Sequence, residues 1–172
     1  ITLRNAGATH LAIYKTTAPV IDGVKIEAAA DSDASGLLLS NAVNVRVADT
    51  WIRVPGEAMA LKASILGPTT QVDMRGVHIF GGRGIEIGDD VYGSVRSVTI
   101  DNLSIDGARP AFHFNTKGTE GGEARDIRAG KVCLHDTGES GAVPAGRAID
   151  IAGSTAGCQI VPFASAQAAL DK

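Results

Sequence analysis

The sequence has few cysteines, few aromatic residues and no long apolar run. Two cysteines, Cys133 and Cys158, are too few for a disulfide framework and do not have the spacing of a zinc site. No run of about 18 apolar residues is present to span a membrane, and residues 1–10 lack the charged and apolar regions of a signal peptide. We therefore expect free thiols and no membrane insertion.

The chain also lacks an excess of positive charge. Lys and Arg total 16 against 19 for Asp and Glu, which gives a formal net charge of −3. No basic field is available to attract nucleic acid or an anionic surface, so we expect no nucleic-acid partner.

The length and composition favour one domain. A chain of 172 residues with 44% apolar residues can bury one core but is short for two. Because it begins with an isoleucine inside an apparent strand, we expect the single domain 1–172 to be part of a longer protein. Residues 163–172 are Ala-rich and are expected to cap the domain or to lead into a further segment.

Glycine and short apolar triplets are abundant. The 21 glycines and the many Val, Ile and Leu pairs are typical of short strands joined by tight turns. A pattern of one small residue, one apolar, any residue and one apolar occurs five times, with steps of 22, 26, 27 and 37 residues. Its copies are GLLL at 36–39, AMAL at 58–61, GIEI at 84–87, AFHF at 111–114 and AIDI at 148–151.

Two further apolar groups recur in phase with this pattern. One consists of the triplets VKI at 24–26, TWI at 50–52, VHI at 77–79, LSI at 103–105 and VCL at 132–134. The other consists of Ile21, Val47, Met74, Ile100 and Ala129. Strands this short are stable only when each stacks on its copy in the next repeat. The pattern predicts an all-β fold, a right-handed parallel β-helix of about six coils with three short strands per coil. A Gly-rich β-sandwich is the alternative, but hairpins give no reason for a constant phase.

The stretch GGRGIEIGDD at 81–90 carries a family resemblance. With VRSVTIDNLSIDG and AFHFNTKGTEGGEARDI after it, it resembles the polygalacturonases, pectin-hydrolysing enzymes with a right-handed β-helix. That family reads Gly-His-Gly-Ile-Ser-Ile-Gly here, followed by Val-x-Asn-Val-Thr, Arg-Ile-Lys and a Gly-Gly turn. The resemblance covers residues 30–130 and implies the same fold and a polysaccharide ligand.

The acids that the resemblance implies are mostly replaced. The family's Asn-Thr-Asp falls on 33–35, so that Ser35 stands at a catalytic aspartate, and its paired aspartates fall on Gly56 and Glu57. Inverting hydrolysis needs one protonated acid and one carboxylate base. Because Glu57 alone keeps the catalytic residue type, we expect no pectin hydrolysis by the family mechanism.

The substrate-holding positions are replaced as well. The family's histidine falls on Arg83, and its Arg and Lys that hold substrate carboxylates fall on His113 and Asn115. Arg83 can hold a sugar carboxylate or pair with Glu57 or Asp89, and we favour the pairing. We predict Arg83, Asn115, Asp89 and Trp51 as substrate-binding residues. The acids at 89–90 lack the alternating oxygen ligands of a calcium loop, so no metal or cofactor is expected.

The third residues of the first pattern, which can be of any type, are expected to form an outward-facing column. If all five copies stack, Glu86, His113 and Asp150 lie on successive coils, with the two carboxylates about 10 Å apart. With Glu57, these three are our candidate catalytic residues. The alternative is that they are simply the polar outer face of a β-helix.

Trp51 occupies an outward position in the second group of strands. An exposed indole there could stack on a sugar or be covered by a neighbouring chain. The insertion at 135–146, which lengthens the last repeat, is expected to overhang the same groove as the column.

These observations leave two functions open. The first is an extracellular, polysaccharide-binding and polygalacturonase-like domain, whether or not it degrades its ligand. The second is a non-catalytic module such as a phage tailspike shaft or a surface adhesin, a homo-oligomer that would be a trimer in the tailspike case. Both place the protein outside the cell or on a virion or cell surface.

Overall fold

The chain forms a parallel β-helix, as the repeats predicted, with about five turns rather than six. The structure is a computed structural model that describes residues 1–88, 93–115, 123–137 and 149–153, the last five and Asn115 by their backbone alone. Within these ranges there is no helix, and hence none long and apolar enough to cross a membrane. The predicted cap at 163–172 lies outside the described residues.

The strands form two parallel sheets. Sheet A contains β1 (Thr2–Arg4), β3 (Val20–Asp22), β4 (Lys25–Glu27), β6 (Val43–Arg53), β8 (Thr69–Phe80), β10 (Ser94–Asp106), β12 (Glu123–His135) and β13 (Ile149–Gly153). Sheet B contains β2 (Thr9–Tyr14), β5 (Ser35–Ser40), β7 (Glu57–Lys62), β9 (Arg83–Gly88) and β11 (Phe112–Asn115). Every pairing between named strands is parallel and joins one coil to the next.

Two of the three predicted strands of a coil merge into one bent strand in β6, β8, β10 and β12 of sheet A, while in the first coil they remain separate as β3 and β4. The bend lies at a residue with positive φ, and these residues stack in register: Gly23, Asp49, Gly76, Asn102 and Lys131, with φ of 63°, 44°, 65°, 54° and 49°. A left-handed residue turns the chain while the ladder continues on both sides. Glycine, asparagine and aspartate tolerate this conformation best, and they fill four of the five positions.

The second residues of the first pattern form part of the core of sheet B in four of the five copies. Leu37 lies beside Met59, Met59 beside Ile85, and Ile85 beside Phe112, all of them buried. The residues of the third apolar group also stack in register within sheet A. The triplets of the second group also stack in register with their first and third residues mostly in the core, so all three predicted ladders run through it.

The fifth copy of the first pattern does not continue sheet B, so that part of the prediction was wrong. Ile149 begins β13, which pairs with β12 of sheet A and sets Ile149 beside Ile127. An apolar-any-apolar triplet fits either sheet. The alternation shows which side chains face inward, but it does not show which strand lies next to the triplet. The long step before this copy allowed both placements.

Sheet B instead has an additional strand at its other end. Strand β2 pairs with β5 and sets Leu11 beside Leu37. The pattern missed β2 because the small position holds His10. The N–H of Ala6 donates to His10 Nε2 at 3.2 Å, so the proton lies on Nδ1, which donates to the Ser35 carbonyl at 2.8 Å. The ring therefore ties the outermost coil to the next one.

Candidate functional site

The candidate site lies on the outer face of sheet B. Strands β7, β9 and β11 set Ala60 beside Glu86 and Glu86 beside His113, at the strand spacing of about 4.8 Å. The small residues of the pattern allow this stacking: a Cβ added to Gly84 would lie 2.1 Å from the Ala111 carbonyl oxygen. The sequence therefore correctly places Glu86 and His113 on adjacent strands.

A cavity of about 340 Å³ opens on this face. Four of the predicted site residues line it together with three residues that the sequence did not suggest. The lining consists of Glu57, Arg83, Glu86 and His113, and of Gly84, Ile85 and Pro110. Two carboxylates, a guanidinium and an imidazole thus share one opening. Glu86 is buried and His113 is exposed.

Glu57 is held by two neighbours. The Ser35 hydroxyl donates to Glu57 Oε2 at 2.7 Å, and Arg83 Nη2 lies 2.8 Å from Glu57 Oε1. The register of β7 and β9 places Glu57 directly beside Arg83. The pairing favoured from the sequence is therefore present, and each carboxylate oxygen has a donor.

These contacts keep Glu57 ionised. Partial burial raises the pKa of the Glu57 carboxyl, but the Ser35 hydroxyl, the backbone N–H and the charges of Arg83 and Lys62 together lower it below its usual value. A general acid must hold its proton near neutral pH. Glu57 is suited to hold Arg83 or to accept a proton, and not to donate one.

Gly56 leaves no room for a second carboxylate beside Glu57. A Cβ at this position would lie 2.7 Å from Ser35 Oγ and 2.8 Å from the Ala34 carbonyl oxygen. Both distances are shorter than ordinary van der Waals contact. The replacements at Ser35 and Gly56 are therefore sterically linked: the Ser35 hydroxyl that binds Glu57 fills part of the space that a residue-56 side chain would need.

Asp150 is not part of this site. It pairs in register with Arg128 of β12 in sheet A, so the expected column of Glu86, His113 and Asp150 is wrong at its third member. Asn115 ends β11 opposite Gly88. Asp89 and all but the start of the insertion at 135–146 lie outside the described residues.

Trp51 is buried, which corrects its assignment as an exposed sugar-binding residue. Its outward column is in register as predicted, and the whole column is buried: Lys25, Trp51, His78, Ser104 and Cys133. The Trp51 ring stacks on His78 with 5.6 Å between centroids, and the indole is 8% exposed. An outward phase gives the face of the strand but does not say whether that face is covered.

The expectation of free thiols can be compared with the structure at Cys133. Cys133 is disulfide-bonded, so the expected free thiol was wrong. Within the described ranges, no group of three or more His, Cys, Asp or Glu side chains is placed to hold a metal ion.

Sequence reasoning missed two features of the cavity. The first is the Ser35 hydroxyl as a partner of Glu57, which the register between successive coils could have suggested. The second is Pro110, which precedes the AFHF copy in the turn that bounds the cavity. Ser35 begins β5 and Pro110 lies two residues before β11, so both lie at the N-terminal edge of sheet B.

Comparison with known proteins identifies the family. The family model of the glycosyl hydrolases family 28 matches residues 1–144, which is most of the chain. No curated protein and no solved structure matched the chain. The match covers β1–β12, and hence all of sheet B and the cavity. The chain therefore belongs to the glycosyl hydrolases family 28.

Proposed function

We propose that this protein binds an acidic polysaccharide along the outer face of sheet B without hydrolysing it by the two-acid mechanism. The observation that carries the proposal is the cavity in which Arg83 and His113 are exposed beside Glu57 and Glu86. Sugars are held by many hydrogen bonds in open grooves, and this opening offers both donors and acceptors.

Arg83 is the residue best suited to hold a sugar carboxylate. Its side chain is 61% exposed, and the ion pair with Glu57 uses Nη2. A guanidinium has five N–H donors in a planar fork, so others are available to a ligand. Glu57 would then orient Arg83, while His113 adds a second donor from the adjacent strand β11. These donors favour an acidic glycan as the ligand.

The same geometry argues against hydrolysis. Glu57 is ionised, Ser35 carries no carboxyl, and Gly56 has no space for one. Glu86 and His113 remain as neighbouring groups, but no second carboxylate stands across the groove from Glu86 at Asp150. Ser35, Gly56, Glu57 and Asp150 therefore do not supply the protonated acid that inversion requires opposite a carboxylate base.

An extracellular or surface location is part of the proposal. Polysaccharides of this kind are found outside cells, and the disulfide at Cys133 is typical of an oxidising compartment. The alternative of a homo-oligomeric shaft gains no support from Trp51, since that face is buried.

The proposal predicts that Arg83→Ala weakens binding of acidic glycans. Because charge-assisted hydrogen bonds would be lost, the dissociation constant should rise about tenfold or more. Calorimetric titration with oligogalacturonates and with matched neutral oligosaccharides measures this.

Arg75→Ala is the matched control. Arg75 is similarly exposed, at 66%, and is paired with one acid, Asp73, but it lies on β8 of sheet A. Its replacement should leave binding unchanged. Failure of every acidic glycan to bind, or equal losses in both variants, would contradict the proposal.

A further inference from the structure

The outer face of sheet B continues beyond the cavity toward its first strand. Going from β11 to β2, the residues in register with His113 are Glu86, Ala60, Leu38 and Ala12. This column is therefore polar on β9 and β11 and apolar from β7 to β2. Five strands about 4.8 Å apart give it a length of about 19 Å.

An exposed aromatic ring lies at the apolar end. Tyr14 is 58% exposed and ends β2, two residues after Ala12 and therefore on the same face. Its neighbour Ile13 packs against the core, which fixes the outward direction of Tyr14. The Thr16 hydroxyl donates to the Tyr14 carbonyl at 2.8 Å and holds the chain at this strand end.

Tyr14 differs from the other exposed apolar residues. In the part of the chain that the structure describes, large exposed hydrophobic side chains are Ile1, Tyr14, Val20, Ile65 and Leu66. Tyr14 is the one that is aromatic and that lies in a strand of sheet B. Leu38, partly exposed on the neighbouring strand, lies beside Ala12.

We propose that Tyr14, with Leu38 and Ala12, forms a second carbohydrate subsite that stacks on the apolar C–H face of a sugar ring. This inference rests on the proposed function, because the occupant is a distal unit of the same glycan held at Arg83. An aromatic ring supplies a large apolar surface at low entropic cost, and its hydroxyl stays in water.

The surroundings of Tyr14 fit a glycan that crosses the coils. Ser40 lies beside Tyr14 on β5, and Lys62 lies beside Ser40 on β7. These two side chains offer a hydroxyl and an ammonium group beside Tyr14. Arg83 lies three strands away and at the opposite strand ends, five residues from this row, so a glycan that reaches both runs diagonally over about 22 Å. A sugar unit is about as long as one strand spacing, so only a glycan of about five units reaches both ends.

The test compares a trimer and a hexamer of galacturonate. For the unmodified protein, the hexamer should bind more tightly than the trimer. Tyr14→Ala should weaken hexamer binding by roughly fivefold to tenfold and leave trimer binding unchanged. Tyr14→Phe should retain tight hexamer binding, since stacking needs the ring and not the hydroxyl.

Val20→Ala is the matched control, because Val20 is similarly exposed but lies on β3 of sheet A. Equal affinity of the two oligomers for the unmodified protein would overturn the subsite, as would equal losses for both oligomers in Tyr14→Ala. If Arg83→Ala weakens binding while Tyr14→Ala does not, the subsite fails and the proposed function stands. If neither oligomer binds the unmodified protein, the subsite fails, and if no acidic glycan binds it, the proposed function fails as well.

Discussion

Ser35 and Arg83 together determine what Glu57 can do. A carboxylate at position 35 would place two like charges side by side and raise one pKa, which is how many acid pairs obtain a proton donor. A hydroxyl and a guanidinium do the opposite, since both stabilise the ionised form of Glu57. A single replacement at position 35 thus changes the chemistry of its neighbour.

This arrangement predicts that the purified protein releases no reducing ends from polygalacturonate. Glu57 cannot serve as both acid and base, and Ser35 supplies no carboxyl group. A reducing-end assay on the unmodified protein and on Glu57→Gln should give the same background for both. Turnover that is present in the unmodified protein and disappears in Glu57→Gln would contradict this interpretation.

Individual residues also show what could be predicted from the sequence. A pairing of Arg83 with Glu57 or Asp89 was favoured from the sequence. The pair with Glu57 is present because stacked copies of the same strand bring equivalent positions together. The burial of Trp51 was not expected, because alternation within a strand says nothing about what covers its outer face. Local periodicity therefore predicts register better than exposure.

At the scale of the element, close packing between coils explains the small residues that begin the sheet B strands. A Cβ added to Gly36 would lie 2.3 Å from the Ala58 carbonyl oxygen and 2.8 Å from Ile52 Cγ2. The backbone of one coil occupies the space where a side chain of the previous coil would stand. This contact is why the pattern begins with glycine or alanine, and why it was visible in the sequence.

Gly36→Ala should therefore destabilise the protein by about 1–3 kcal/mol, the usual cost of overpacking a filled core. Urea denaturation followed by circular dichroism measures the change in unfolding free energy. Gly7→Ala is the control, since a Cβ on Gly7 meets nothing within 4 Å. A loss at Gly36 no larger than the loss at Gly7 would show that the coils can separate to accept the methyl group.

The way in which strands of sheet A are built explains why the last strand, β13, was misplaced. In sheet A the predicted triplets and the third apolar group fuse through left-handed residues, so a complete strand there needs two groups in phase. The AIDI copy is a single apolar group. Such a group can join sheet B, as predicted, or sheet A, where Ile149 lies beside Ile127. Pattern matching finds a strand, but the sheet it joins depends on the path of the preceding segment.

At the scale of the whole molecule, ion pairs connect neighbouring coils along the outside of the β-helix. Arg4 pairs with Glu27, Arg83 with Glu57 and Arg109 with Asp136, and His135 Nδ1 lies 2.7 Å from Asp106 Oδ1. Exposed pairs of this kind contribute little individually. Because each coil contacts mainly its neighbours, stability rests on the stacked core and the pairs mostly maintain register.

Titration of three groups gives the molecule a defined pH dependence. Burial lowers the pKa of His78, which Asp49 only partly offsets, so the native state disfavours its proton. The pKa of Glu57 is also lowered, whereas the hydrogen bond to Asp106 raises the pKa of exposed His135. His78 and Glu57 therefore destabilise the fold on acidification, while His135 opposes them through an exposed, solvent-screened pair.

We predict that stability falls as pH decreases below the ordinary histidine value of 6.5, because the unfolded chain binds a proton that native His78 resists. A second loss should follow below the ordinary glutamate value of 4.5, as Glu57 is protonated through its lowered pKa. Melting temperatures between about pH 8 and pH 4 measure both.

His78→Gln should flatten the upper part of this decline. His135→Gln, the control, should leave it in place or steepen it, because the stabilisation by protonated His135 is present below pH 6.5 and lost as pH rises. A decline that persists unchanged in His78→Gln would assign it to another group.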